Sequence, residues 1–270
     1  MNKLILLSII VLIASGCKNT PVEYTLLGDY TPYNRYPEKI SGRVKELVEN
    51  NYWAIPRGGT FIKGNKMTVG DRDSLPWTND FTALFDDKGG LISCTLTDGD
   101  NKTISKWELS RDDNNQAIAK FITNDTVRNW RKLNFDSKGN LTEILQYREG
   151  TDTLLSRCSA KTSLKKDTIE LWWYNSKNAP VSKHVFIYDD YGQFFRTEAY
   201  DHAGVFRAAV DAQYNNKGKV SELIFYDRDK VIIDEDYFAY EYDTKGNWVK
   251  AIVKNQKGKV VIEERKYTYF

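Results

Sequence analysis

The sequence predicts an all-β protein: a meander of consecutive antiparallel hairpins that curls into a barrel-like or spiral sheet. Three observations predict it. Turn signals recur every 12 to 16 residues in the second half of the chain. Between them, apolar and charged side chains alternate with the period of two expected of a half-buried strand. Aromatic residues, which suit strands, are abundant: seven Trp, seventeen Tyr and twelve Phe against two Met and two His.

The turn signal is an aromatic residue, then Asp or Asn, two variable positions and Gly. It reads Phe85-Asp86-Asp87-Lys88-Gly89, Phe135-Asp136-Ser137-Lys138-Gly139 and Tyr188-Asp189-Asp190-Tyr191-Gly192, and returns at Tyr200, Tyr214 and Tyr242. Weaker copies begin at Tyr226 and Lys254. Asp or Asn accepts hydrogen bonds from the backbone that follows it, and Gly supplies the positive φ that most residues resist. Between turns, Phe206, Ala208, Val210, Ala212 and Tyr214 fall on one face and Arg207, Asp211 and Gln213 on the other. Val127, Leu133 and Phe135 likewise oppose Arg128, Lys132 and Asn134. Charges on the second face disfavour a transmembrane barrel, whose strands turn a uniformly apolar face to lipid.

Residues 37–53 fit either a helix face (Ile40, Val44, Leu47, Val48, Tyr52) or a first hairpin. Gly42, the Asn50-Asn51 pair and the repeat context favour the hairpin. Residues 57–80, with Gly58-Gly59, Gly64 and Pro76, read as an irregular hairpin with a long loop. Residues 37–270 are expected to form a single β-hairpin repeat domain.

The motif Tyr242-Asp243-Thr244-Lys245-Gly246-Asn247-Trp248 resembles the YD repeats of rearrangement-hotspot proteins and of many Gram-negative lipoproteins. The likeness runs from about Phe85 to the C-terminus. It implies hairpins wrapped into curved sheets, barrels or shells, and a scaffold in place of an activity.

The start of the chain reads as an address. Met1-Asn2-Lys3, an apolar run from Leu4 to Ala14, and Ser15-Gly16 before Cys17 form the pattern of a secretory signal over residues 1–16. The run is too short to span a bilayer comfortably. Small residues ending on Cys resemble the lipobox of bacterial lipoproteins. That resemblance implies that Cys17 becomes a lipidated N-terminus, with palmitate among its acyl chains, followed by a tether to residue 36. Lys18 in place of Asp favours the outer membrane by the best-known sorting rule. In an oxidising compartment Cys94 and Cys158 either form a disulfide or are two buried small hydrophobes, and sequence leaves both open.

Chemistry is sparse. The formal net charge of +2 argues against nucleic acid, which calls for a basic face. His184 reads as a strand residue and His202 as a turn residue. Without a Cys cluster they make no zinc motif, and no cofactor is implied. The sequence holds no nucleophile elbow, phosphate loop or His-Glu-x-x-His. No enzyme is expected, although acids this numerous leave room for a glycan-directed hydrolase pair.

The aromatic surplus is the better lead. On a strand, adjacent Trp172 and Trp173 point to opposite faces, and Glu170 marks the Trp172 side as the wetter one. Trp172 and Tyr174 are therefore the candidate ligand-binding residues, for a glycan or an envelope protein. Four triplets centred on Ser74, Thr126, Thr153 and Thr168 resemble an O-glycosylation motif of exported Gram-negative proteins. The expected function is that of a noncatalytic outer-membrane lipoprotein presenting a β-repeat surface. A structural scaffold without a small ligand is the alternative.

Overall fold

In the computed structural model of the protein, the described residues are 24–26, 38–68, 71, 80–97, 100, 102–111, 117–123, 126–136, 141–163, 168–189 and 194–270. They form an antiparallel all-β meander. β1 (Tyr24–Leu26) pairs with β2 (Glu38–Ile40) as a separate two-stranded ribbon. The main sheet begins with β3 (Val44–Arg57), β4 (Thr60–Lys66), β5 (Asp80–Phe85), β6 (Leu91–Thr97), β7 (Thr103–Arg111), β8 (Ala117–Thr123), β9 (Thr126–Phe135) and β10 (Leu141–Arg148). It continues with β11 (Leu154–Thr162), β12 (Thr168–Asn175), β13 (Pro180–Tyr188), β14 (Phe194–Asp201) and β15 (Phe206–Tyr214). β16 (Val220–Tyr226), β17 (Ile232–Tyr242), β18 (Trp248–Asn255) and β19 (Val260–Tyr269) complete it. Neighbours in sequence are neighbours in the sheet, and β19 returns to pair with β3, so the strand order is that of a closed barrel.

The repeated turn has one local design. Oδ1 of Asp86, Asn175, Asp201, Asn215, Asp227 and Asp243 accepts the backbone N–H groups two and four residues on, at 2.6–3.0 Å. The residue three positions after the Asp or Asn has positive φ. It is Gly at 89, 204, 218 and 246, but Asn178 and Lys230 hold the same position at φ 59° and 61°.

The hairpins at Asp86, Asn175, Asp201, Asn215 and Asp227 also carry a bulge. Trp173 pairs with Ser182 and Tyr174 with Pro180, so Val181 is an extra residue on its strand. The same slip leaves over Ile92, Phe195 and Ile233. An extra residue is rotated out of the ladder, which accounts for these four large apolar side chains standing exposed at 41–52%. The bulge corrects one expected face. It leaves Arg207 over, so Phe206 pairs with Tyr200 and meets it edge-on at 5.8 Å, while Ala208 pairs with Ala199. Phe206 and Ala208 do not share a face.

Of the region 37–53, residues 38–40 and 44–53 are strand, but β2 pairs with β1 and not with β3. Asn51, expected at a turn, lies fully buried inside β3. The expected tether contains β1. The chain groups into two compact units: Met1–Glu108 with Ala239–Val253 and Val260–Phe270, and Leu109–Phe238 with Lys254–Lys259.

In the first unit, Ile40, Val44, Leu47, Phe81, Ala83, Phe85 and Leu96 form the core. Polar groups are buried beside them and are paired. Arg265 Nε donates to Glu49 Oε2 at 2.8 Å, and its guanidinium carbon lies 3.7 Å from the Trp248 ring centroid. Asp80 accepts from the Asn51 backbone N–H at 2.7 Å and meets Lys66 at 3.0 Å, and burial still pushes its carboxyl above its ordinary value. Asn247 bonds Ser41 in both directions and donates to the Tyr269 hydroxyl.

Candidate functional site

The second unit presents two chemically distinct faces. Leu133, Ile144, Cys158, Leu171, Trp173, His184, Phe186, Ala199, Ala212, Leu223 and Phe225 are buried. Register places them in rows, such as Leu171–His184–Ala199 and Cys158–Trp173. Burial lowers the His184 imidazole to about 4, so it is neutral near pH 7.

The opposite, open face carries aromatic rings interleaved with charge. Because alternation sends Trp172 away from Trp173, Trp172 meets Lys183 of β13 in register, and Lys183 meets Tyr200 of β14. Lys183 Nζ stands 5.3 Å from the Trp172 ring centroid and 4.4 Å from that of Tyr200. The Trp172 Nε1–H donates to Glu170 Oε2 at 3.4 Å. Arg157 covers Tyr174 at 4.4 Å, Arg196 covers Tyr226 at 5.6 Å, and Lys230 covers Phe206 at 5.8 Å. These distances are within the range of cation–π attraction.

The charges on this face are mostly paired with one another. Arg196 bridges Glu198 at 2.8 Å and Asp211 at 2.6 Å, Arg157 reaches Glu143 at 3.5 Å, and Arg207 pairs with Asp201. Burial works against the Glu198 anion. Hydrogen bonds from Tyr200 and Arg196 nevertheless hold its carboxyl below the ordinary value. The Tyr200 hydroxyl is pushed up to about 12 by burial and by its bond to Glu198.

One part of the face differs. Trp130 of β9 pairs with Tyr147 of β10, and their rings stack at 4.4 Å and 18°. Beside Trp130 opens a recess of about 400 Å³, walled by Ile118, Lys120 and the turn residues Glu149, Thr151 and Asp152. Its volume is within the range of small-molecule sites, about 300–1,000 Å³. The turn wall is held by its own bonds. The Arg148 N–H donates to Thr153 O at 3.0 Å, the Thr151 N–H to Arg148 O at 3.3 Å, and the Thr153 N–H to Thr151 Oγ1 at 3.2 Å. Lys120, Glu149 and Asp152 are exposed and make no ion pair among the described residues.

Trp172 and Tyr174 thus occupy the wetter face, as alternation predicts, but each ring is already engaged by a cation. Cys94 is half-buried in the first unit, and Cys158 is fully buried in the second, its thiol donating to the Ser159 carbonyl. Burial and the neighbouring Glu49 push the Cys94 thiol up to about 12, which leaves it unreactive. Thr126 and Thr153 are exposed, and Thr168 is half-buried, its N–H donating to Ser163 Oγ. Cys17 and Ser74 lie outside the described residues. No three His, Cys, Asp or Glu side chains gather to hold a metal ion among the described residues. Sequence reasoning passed over Trp130, although a signal was present: by parity it falls in the charged row with Arg128 and Lys132.

No protein-family model and no curated protein matches the sequence. Solved structures do. A porin-like protein from Bacteroides uniformis aligns with a TM-score of 0.52 at 9% identity, over 83% of this chain and 96% of that one. A porin-like protein from Bacteroides vulgatus aligns with a TM-score of 0.39 at 10% identity, over 84% and 99%. At such identities the likeness to the B. uniformis protein is one of fold.

Proposed function

We propose that this protein is a noncatalytic component of the bacterial outer membrane, held there by acyl chains on Cys17, whose second unit binds a glycan or an envelope protein through its open face. One observation carries the reading: rings from Trp130 to Tyr226 line that face, interleaved with charge, where a core would need neither. Flat amphipathic rings contribute contact area at low entropic cost. The sorting-signal resemblance and the porin-like fold of the B. uniformis protein support an envelope setting. The charged open face argues against a wall turned to lipid.

A scaffold without a small ligand is the second reading. What favours it is that Lys183 and Arg157 cover the rings of Trp172 and Tyr174. A glycan array probed with the detergent-solubilised chain separates the two: specific binding supports recognition, and a blank array supports the scaffold. Anchoring is tested by Cys17→Ala, which should leave the protein soluble or still carrying its uncut signal. A mature Cys17→Ala chain held firmly in the outer membrane would overturn the lipid anchor.

A further inference from the structure

The open face of the second unit satisfies most of its polar and aromatic groups internally, and the recess at Trp130 departs from that pattern. Tyr174, Trp172, Tyr200, Phe206 and Tyr226 each have a cation over the ring, and Arg157, Arg196 and Arg207 each have a carboxylate. Trp130 has Tyr147 stacked against it and no cation over its ring among the described residues. Tyr147 does not line the recess, so it backs the indole and braces it. Around the cavity stand two carboxylates, Glu149 and Asp152, and one ammonium, Lys120, all exposed and without an ion pair among the described residues. An immobilised ring and uncommitted hydrogen-bonding groups around about 400 Å³ make a preorganised site.

We propose that this recess is a sugar subsite that takes a neutral or amine-bearing pyranose. The proposal rests on the glycan reading above and names its place and ligand class. The C–H groups on one side of a pyranose carry partial positive charge and would lie against the electron-rich indole of Trp130. The sugar's hydroxyls would donate to the Glu149 and Asp152 carboxylates and accept from the Lys120 ammonium. Two anions against one cation leave the rim negative. Uronic acids and sulfated sugars are therefore repelled, and an amino sugar gains an ionic contact. Ile118 supplies the apolar edge against which a ring substituent can rest.

The test is calorimetric titration of the full chain in detergent with three probes: cellotriose, the glucosamine trimer of chitosan and trigalacturonate. The first two should bind and the third should not. Trp130→Ala should weaken binding by about tenfold or more, with Trp130→Phe retaining most of it and an unchanged circular dichroism spectrum for both. Glu149→Gln with Asp152→Asn should erase the preference for the glucosamine trimer over cellotriose. Preferred binding of trigalacturonate, or no binding of any probe, would overturn the subsite. Binding that survives Trp130→Ala but is lost in Trp172→Ala would also overturn it, while leaving the broader glycan reading intact. That broader reading falls only with a blank array.

Discussion

Lys230 stands in its turn where Gly246 stands in the next one to carry the repeat, at φ 61° and 83° respectively. Both follow an aspartate by three residues, and both N–H groups donate to that aspartate's carbonyl, at 3.0 and 3.1 Å. A Cβ in this backbone region costs about 1–2 kcal/mol, which Gly avoids. Lys230→Gly is therefore expected to stabilise the protein by about 0.5–1 kcal/mol, less whatever the 5.8 Å approach of Lys230 to Phe206 contributes. Gly246→Val should destabilise it by about 1 kcal/mol or more. Nothing lies within 4 Å of a Cβ at Gly246, so the loss would be one of backbone strain and not of crowding. Thermal melts of the two variants should shift in opposite directions. A shift of the same sign would contradict the turn design.

The same turn shows what was legible in the sequence and what was not. The aspartate and the glycine act within five residues of chain, so local chemistry reveals the hairpins and their spacing. Lys230 hid because aspartate bonding tolerates a non-glycine residue at positive φ, so the copy at Tyr226 looked weak. The bulges hid for a different reason. Whether Val181 or Arg207 is skipped depends on pairing with the strand before it, and a single strand carries no record of its partner's register. Phe206 was misplaced on that account alone. Trp130 stood visibly in a charged row, but the recess beside it needs β8, β9 and the β10–β11 turn together. The buried Glu49–Arg265 pair, whose partners stand 216 positions apart in sequence, lies beyond any local pattern.

Trp172 and Trp173 provide a test of the two faces. Trp173 is 4% exposed among buried neighbours, so Trp173→Ala should cost about 3–5 kcal/mol. Trp172 lies on the open face with Lys183 at 5.3 Å, and Trp172→Ala should cost about 1 kcal/mol, the scale of a partly exposed cation–π contact. Denaturant midpoints for the two variants measure the difference. Equal losses would mean that both faces are packed.

His184 predicts a pH dependence with a definite sign. Its folded value is about 4 against an ordinary 6.5, because burial disfavours the imidazolium. Between those values the unfolded chain binds more protons than the folded one, so stability falls as pH drops from 6.5 towards 4 and levels off below. The full loss from this residue is about 3 kcal/mol. His184→Leu, which keeps an apolar fit between Leu171 and Ala199, should flatten the melting-temperature curve over that window. A profile unchanged by the substitution would assign the dependence to other groups, such as Glu198 and Asp201. Their lowered values place their loss at more acidic pH.

Glu49 and Arg265 supply the last expectation. Their side chains are 1% and 2% exposed, and Arg265 also stacks on Trp248, so each group depends on its partner for solvation. Removing one leaves a desolvated charge behind, a change that costs about 3–5 kcal/mol in buried pairs. Arg265→Met alone should therefore be severe, and Glu49→Leu alone comparably so. The double variant removes both charges while keeping apolar volume against Trp248 and Phe81, and should recover most of the loss. The measurement is a double-mutant cycle of unfolding free energies. Strong coupling, with the double variant more stable than either single one, is the expected result. Additive losses would show that each side chain acts through packing, Arg265 against Trp248 and Glu49 within β3, and that the ion pair itself contributes little.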